Sequence, residues 1–496
     1  MFNSRFCSRL KMVKAPSAVL CNLQSFRISN HPKIRIDTRL SQPVILTNHE
    51  TTNFDIIETT KTGNLRVKLI EEINRNGPMA MARFMHLCLA DPQYGYYTTK
   101  SNIFNKGGDF TTSPEISQMF GEIIGVWLVS SLQKYKNLDH FNYVELGPGK
   151  GTLLCDILRT FVQTQVLSNM TFHLVEISEK LQEIQMDNIM ETLKNKQIFM
   201  SQDLKTGELY ESKLNLRFKW VKDIEDIKNE EMQRLKKLSD KAKTNKLLMN
   251  RVITKENPFS IIAHELFDAI PVYQFIYDEM RGWLEKLVDI DPKDPNELII
   301  TESNTPTEHV KKLLQPEKRF NSKEMNDKLK TGDMIEISPH SQKIMTDISE
   351  LVSISRGNAL IIDYGEEQAL TNSIRAIKDH KYLSEPEMLR NAGKADISAY
   401  VDFNALKHVA INTIGSFAKG PISQCAFLEL MGMNIRKEVL KNSVKNKMDK
   451  KRLMQQIDTD YDRLTHPDQM GDIYKFMFVG SDMIGNIYPF IDEYTE

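Results

Sequence analysis

The chain has 496 residues, room for two or three units at roughly 150 residues per domain. Its 65 Lys and Arg against 66 Asp and Glu give a net charge of −1, which removes the basic excess expected of a general nucleic-acid binder. Composition is ordinary globular, with 41% apolar and 26% charged residues, and no segment reaches the run of about 18 apolar residues that a membrane helix needs.

The first elements differ from the rest. Residues 1–36 hold Arg5, Arg9, Lys11, Lys14, Arg27, Lys33 and Arg35, and no carboxylate precedes Asp37. A basic, serine-containing segment without acids predicts a mitochondrial transit peptide, and residues 1–45 are set outside the fold. From residue 63 a helical pattern (Leu65, Leu69, Ile73) runs to a stop at Asn76-Gly77-Pro78. A shorter one, Met81–Leu89, leads into the tyrosine-rich turn Asp91–Tyr97. The glycine loop Gly107–Glu115 then opens a helix, capped either by Ser113 with Pro114 at its first position or by Thr112 with Glu115 closing a capping box. Ile116 through Leu128 form its apolar face.

Beyond it strands and helices alternate. Predicted strands are Asn142–Leu146, Thr171–Ile177, Leu216–Val221, Phe259–His264, Val272–Tyr277, Met334–Ile337 and Ala359–Asp363. This rhythm implies an α/β fold whose mostly parallel sheet is covered by helices on both faces. Residues 46–135 form an N-terminal helical and lid region, 136–300 the nucleotide-binding core, and 333–496 the part that completes the sheet and the acceptor region. Within this plan 222–257 is a charged, solvated helical insertion, and 301–332 a polar excursion.

Three segments carry candidate chemistry. In Tyr143–Leu154 an apolar strand ends in Glu145, and Gly147, Gly149 and Gly151 open a helix. Glycines let backbone approach a ligand, and the helix N-terminus offers N–H donors. A dinucleotide enzyme would space them G-x-G-x-x-G, and a carboxylate beside the turn would repel a pyrophosphate. Glu145 suits instead a cationic ligand such as the amino-acid end of S-adenosyl-L-methionine. Glu176, at the end of the next predicted strand, is placed to accept from ribose hydroxyls; capping the following helix is its plainer role. The two features together do not by themselves separate this cofactor from NAD. The strand Phe259–Ala263 exits into His264, Glu265 and Asp268, carboxylates that would border the ligand and grip a guanidinium by paired N–H···O bonds. Asp268 as a cap and His264 as a core group are the structural alternatives. Asp363-Tyr364 is as well explained by a strand exit, and Cys155 by core packing. The five cysteines form no C-x-x-C pair and no H-E-x-x-H occurs, so no metal site is expected.

Together these blocks resemble the MidA-like S-adenosylmethionine-dependent methyltransferases. The likeness rests on Asp91-Pro92-x-Tyr94-Gly95-Tyr96-Tyr97, Gly108-Asp109-Phe110-x-Thr112-Ser113-Pro114-Glu115, Glu145-Leu146-Gly147-Pro148-Gly149-x-Gly151, Val175-Glu176, Glu265–Val272, Asp363-Tyr364-Gly365 and Ala395–Phe403. The resemblance implies a Rossmann-like methyltransferase sheet with an N-terminal helical segment and additional α+β elements. Its mitochondrial members are complex I assembly factors described as protein arginine methyltransferases. It therefore implies symmetric dimethylation of an arginine on a core iron–sulfur-protein subunit of complex I, in the mitochondrial matrix. A non-catalytic assembly chaperone on the same fold is the rival expectation. Carried onto this sequence, Glu145, Gly147, Gly149 and Gly151 line the methionine end of the cofactor and Glu176 its ribose. Glu265 and Asp268 are then expected to hold the acceptor guanidinium, and the loop carrying Asp109 to fold over the site. The stretch 222–257 is longer than the family suggests, and His264 stands where bacterial members tend to have Asn.

Overall fold

The computed structural model of the chain describes residues 64–99, 111–244, 256–320, 327–367, 371–445 and 447–491. The basic segment 1–45 and Asp109 lie outside the described residues.

In chain order the principal strands are β1 Phe141–Leu146, β2 Met170–Val175, β3 Leu216–Val221, β4 Phe259–His264, β5 Tyr273–Asp278, β6 Gly282–Asp291, β7 Asp294–Glu302, β8 Met334–Ile337, β9 Asn358–Glu366, β10 Ser416–Ser423 and β11 Tyr474–Ser481. The long helices are α1 Leu65–Asn76, α2 Met81–Ala90, α3 Gln118–Leu132, α4 Thr152–Gln163, α5 Glu179–Lys194, α6 Ile224–Thr244, α7 Pro339–Ser355, α8 Phe403–Asn412, α9 Met433–Ser443 and α10 Lys450–Thr465. Helix α1 starts where Asn64 accepts from the Val67 amide and ends at Gly77, whose φ of 83° only glycine adopts readily.

The central sheet runs β10-β11-β9-β4-β1-β2-β3 and is extended by two short strands. Strands β9, β4, β1, β2 and β3 are parallel. The last strand, β11, inserts antiparallel between β9 and β10. All six positions of β1 and of β4 are buried, as a strand covered on both faces requires. One face packs against α3, α4 and α5 around Trp127, Phe161 and Ile189. The other packs against α7 and α8 around Ile348, Leu351 and Phe403.

From β1 the chain steps outward through β2 to β3, then returns past β1 to β4 and β9. Strand order therefore reverses between β1 and β4, the point at whose carboxyl end open α/β sheets hold their ligands.

Several expectations require correction. Strands β5 and β8 do not join the parallel sheet: they pair antiparallel with each other, and β5 with β6, in a second sheet. The reason is loop length, because a parallel crossover needs about a dozen residues or more and only 265–272 separate β4 from β5. The charged stretch 222–257 holds the expected, largely exposed helix, but that helix is tied into the fold. It is α6, in the connection from β3 to β4, and it buries Ile224 and Ile227 and sends Lys228 to Asp347 and Glu350 of α7. The excursion 301–332 buries Val310, Leu313, Leu314 and Phe320 in a small core, where Phe320 stacks on Trp283 at 5.2 Å. The helix expected to run unbroken from the glycine loop is two helices. Ser113–Ile116 ends at Ser117, which caps α3 by accepting from the Met119 amide. Neither expected N-terminal cap forms a side-chain bond, and Glu115 pairs instead with Lys150 at 3.6 Å.

Candidate active site

At the carboxyl end of β1 the chain turns through Gly147, Gly149 and Gly151, with φ of 64°, 55° and 77°. All three lie in the left-handed region, where a side chain is strained. A Cβ at Gly147 would also sit 3.2 Å from Leu266 Cδ1, tighter than most Cβ contacts. Helix α4 begins directly behind it at Thr152, adding the N–H groups of its first turn.

Two buried carboxylates flank this turn. Glu145 accepts from the Tyr143 hydroxyl at 2.7 Å, yet burial pushes it up to about 8 against that hydrogen bond. Glu176, just beyond β2, accepts from the Ser178 amide at 2.8 Å and from Gln185 Nε2 at 3.2 Å. Burial raises it too, opposed by these donors. The Ser178 side chain caps α5, so Glu176 is not that helix's cap.

Gln185 joins these parts, and the sequence reading missed it. Its Nε2 donates to the Gly149 carbonyl at 2.7 Å, and its Oε1 accepts from Trp220 Nε1 at 2.8 Å. The available signal was phase: a glutamine at the position four residues before Ile189 and eight before Leu193, on the buried stripe of α5. Replacing Gln185 by Leu is expected to lower stability by about 1–3 kcal/mol by stranding the Trp220 N–H and loosening Glu176. Cofactor affinity should fall with it. Denaturant unfolding and calorimetric titration measure the two effects; unchanged values would remove Gln185 from the site's support.

Across the reversal point, β4 delivers Glu265 and Asp268. The register pairs Leu146 with Ala263 and Ile362 with His264, so Glu265 emerges between the glycine turn and the end of β9. Glu265 has φ of 48°, a conformation costly for a side-chain-bearing residue and held only where the surroundings impose it. Asp363 imposes it. Its Oδ2 accepts from the amides of Leu266, Phe267 and Asp268 at 3.1, 2.9 and 3.3 Å, fixing the short 3-10 turn between β4 and β5. Asp363 thus has a structural task that explains the carboxylate at this strand exit. Burial beside Asp268 and Glu265 drives its carboxyl up, against the amides of Tyr364 and Phe267.

The Glu265 side chain remains about 10% exposed, accepts from the Ser113 amide at 3.3 Å and lies 3.3 Å from His264 Nε2. Burial first, then Asp268, pushes it up to about 8. Burial raises Asp268 to about 6, with the Tyr364 hydroxyl holding it down. His264 is kept neutral by burial, which lowers it to about 3, and its ring meets Phe120 at 5.3 Å.

Further groups gather here that sequence reasoning did not assign. Ala399 donates its amide to the Asp268 carbonyl at 2.9 Å, bringing the 395–403 motif to this turn. Tyr97 donates to Asp396 at 3.0 Å, which places the Asp91–Tyr97 motif on the same wall. Tyr364 packs edge-on against Tyr400 and Tyr474, with ring centroids 5.0 and 5.7 Å apart. The result is a carboxylate-rich recess walled by tyrosines, beside a glycine cradle. Nothing in the sequence spacing links these tyrosines; only the sheet register does.

The short helix Ser113–Ile116 spans the two halves, since the Ser113 amide reaches Glu265 and Glu115 reaches Lys150 in the glycine turn. The cradle fits a nucleoside with a cationic amino-acid end. It has no Cβ where backbone must approach, N–H donors behind it, and carboxyls able to accept from ammonium and hydroxyl groups. Residues 123–422 match the family of S-adenosyl-L-methionine-dependent methyltransferases. The chain belongs to this family.

Among its relatives is the human protein arginine methyltransferase NDUFAF7, mitochondrial. It is 33% identical over 419 residues, which cover 82% of this chain and 81% of the relative. The Drosophila melanogaster homolog of that protein is 30% identical over 424 residues, 84% of each chain. Among solved structures, a Burkholderia thailandensis protein bound to S-adenosyl-homocysteine superposes with a TM-score of 0.62. At 18% identity it covers 85% of this chain and 92% of its own, a likeness of fold. S-adenosyl-L-methionine is the cofactor of this methyltransferase.

The buried Glu145 makes stability depend on pH. Its folded value near 8 lies above the unfolded 4.5, so the folded state holds the proton to higher pH. That contribution is complete below 4.5 and is lost as pH rises through 8, a decline of a few kcal/mol at ~1.4 kcal/mol per unit. In the ligand-free methyltransferase, Glu145→Gln should flatten the fall in melting temperature between pH 5 and 8. Parallel wild-type and variant profiles would refute a buried titrating Glu145.

Proposed function

We propose that this methyltransferase acts on an arginine side chain of a protein, with Glu265 and Asp268 gripping the guanidinium. The observation that carries the reading is the pair of carboxyls on one clamped turn at the strand-order reversal, beside the glycine cradle. The relatives named as mitochondrial protein arginine methyltransferases support it. In this reading Glu145, Gly147, Gly149 and Gly151 hold the methionine end of the cofactor and Glu176 its ribose.

S-adenosylmethionine, when bound, supplies a methyl group already activated on its sulfonium. The protein's task is then alignment, which can supply roughly 7–11 kcal/mol. Carboxyls raised to about 8 and 6 are partly protonated near neutral pH. An entering guanidinium, always charged, favours their ionised forms and is held by N–H···O bonds along one edge. Charge is thereby drawn to that edge, leaving the opposite nitrogen more nucleophilic. The methylated guanidinium must shed one proton, and Glu265 is suited to accept it from the edge that it holds. The tyrosine walls shape the approach and exclude water.

As the acceptor we propose a core iron–sulfur-protein subunit of complex I, met in the mitochondrial matrix during assembly and dimethylated symmetrically. Incubation of the protein with isotopically labelled S-adenosylmethionine and that subunit, followed by mass spectrometry, tests each part. Label on an arginine, as the symmetric dimethyl form, is expected. Cofactor binding with no label on any arginine would leave a chaperone and overturn the enzymatic reading.

A further inference from the structure

Away from this site, α9 and α10 form a helical hairpin. Lys441 pairs with Asp458 at 2.8 Å, and the Lys437 ammonium lies 3.7 Å from the centre of the Tyr461 ring. The inner side of α9 is anchored: Met433 is buried in the core, and Arg436 reaches Glu122 of α3 at 2.7 Å. The outer side is mixed: two apolar residues stand exposed beside Asn434, Glu438 and Asn442. Ile435 and Val439, one helical turn apart, are 62% and 49% exposed. Met448, near the hairpin tip, stands fully in solvent.

Positive charge surrounds this stripe. From Met433 to Arg452 there are eight Lys and Arg against Glu438 and Asp449, in a chain of net charge −1. The nearby carboxylates Asp458 and Asp449 pair with Lys441 and Arg452. Lys445, Lys447, Lys450 and Lys451, all exposed, are therefore not the groups they neutralise.

We propose that this hairpin docks the protein on an anionic phospholipid surface. Ile435, Val439 and Met448 would enter the headgroup layer, with the tip lysines at the level of the phosphates. Charge complementarity is the argument. A cluster of lysines on a protruding tip meets a diffuse sheet of phosphates without needing a shaped acidic partner, and single protruding apolar side chains suit insertion. Among the described residues no helix is long and apolar enough to cross a membrane, so the contact is one of lying on the surface.

Co-sedimentation of the full chain with vesicles tests this, comparing phosphatidylcholine alone with phosphatidylcholine mixed with phosphatidylglycerol. Binding is expected to the mixed vesicles only, and to weaken as salt is raised. Replacing Lys447 and Lys450 by Glu should lower partitioning by roughly tenfold or more. Ile435→Ser with Met448→Ser should lower it at low salt too, which attraction by charge alone would not produce. Retained cofactor binding shows that each variant is folded. Equal binding to both vesicle types, or variants that bind like the wild type, would overturn the proposal. So would a concentration-dependent dimer, abolished by Ile435→Ser in sedimentation velocity, that binds no vesicles.

Discussion

Replacing Glu265 by Gln should abolish methyl transfer, by about a thousandfold or more, while S-adenosylmethionine still binds. Gln has nearly the same shape, so the left-handed backbone at φ 48° and the Asp363 clamp on the following amides are kept. What disappears is the negative charge that holds one edge of the guanidinium and the base that can take up its proton. Calorimetry should return a cofactor affinity within about threefold of wild type, because the glycine cradle lies on a different strand. The pH dependence adds a second reading. Glu265 and Asp268, raised to about 8 and 6, must be ionised to grip a cation. The wild-type kcat/KM for the protein substrate should therefore climb from pH 6 and level off above about 8. Turnover by the Gln variant at the wild-type rate would remove Glu265 from the chemistry and, with it, the role of the acidic recess.

Gly149→Val should have a comparable effect through the opposite half of the site: cofactor binding falls by about a hundredfold or more, and transfer falls with it. At φ 55° the left-handed conformation costs an L-residue roughly 1–2 kcal/mol, and a β-branched one more. The turn relieves that strain by rotating out of the geometry in which the Gly149 carbonyl accepts from Gln185. The valine side chain also takes space through which backbone must reach the ligand. Calorimetric titration against S-adenosyl-homocysteine measures the loss, and an unchanged circular dichroism spectrum shows the sheet intact. Undiminished binding would mean that the turn is not the cradle.

The two substitutions divide the site along the line that separates what was legible. The glycine turn could be read because strand, carboxylate, turn and helix are consecutive, and local chemistry alone dictates left-handed glycines before a helix start. Strands β3, β4 and β8 were read with their observed limits for a related reason: short runs dominated by apolar or β-prone residues, bounded by turn signals, leave little choice. Partner strands were not legible. Strands β5 and β8 look like parallel-sheet strands in isolation, and only the eight-residue link from β4 places them in an antiparallel sheet. The tyrosine walls were hidden because Tyr97, Tyr364, Tyr400 and Tyr474 are scattered over most of the chain and meet only at the ends of paired elements. Helix α6 was legible as a charged helix, but its attachment was not. Nearly half of the residues in its stretch are charged, yet two isoleucines and one ion-paired lysine suffice to fix it on the sheet.

By itself, the sequence determined the local devices: the cradle, the carboxylates at the strand ends, the stop at Gly77 and the class of fold. These follow from backbone sterics and hydrophobic periodicity, which act over a few residues. Only the tertiary structure decided which strand ends adjoin, that Asp363 clamps the turn bearing Glu265, and that burial holds Glu145 and Glu265 near 8. Sheet register and desolvation are sums over distant parts of the chain, so no single stretch of sequence contains them.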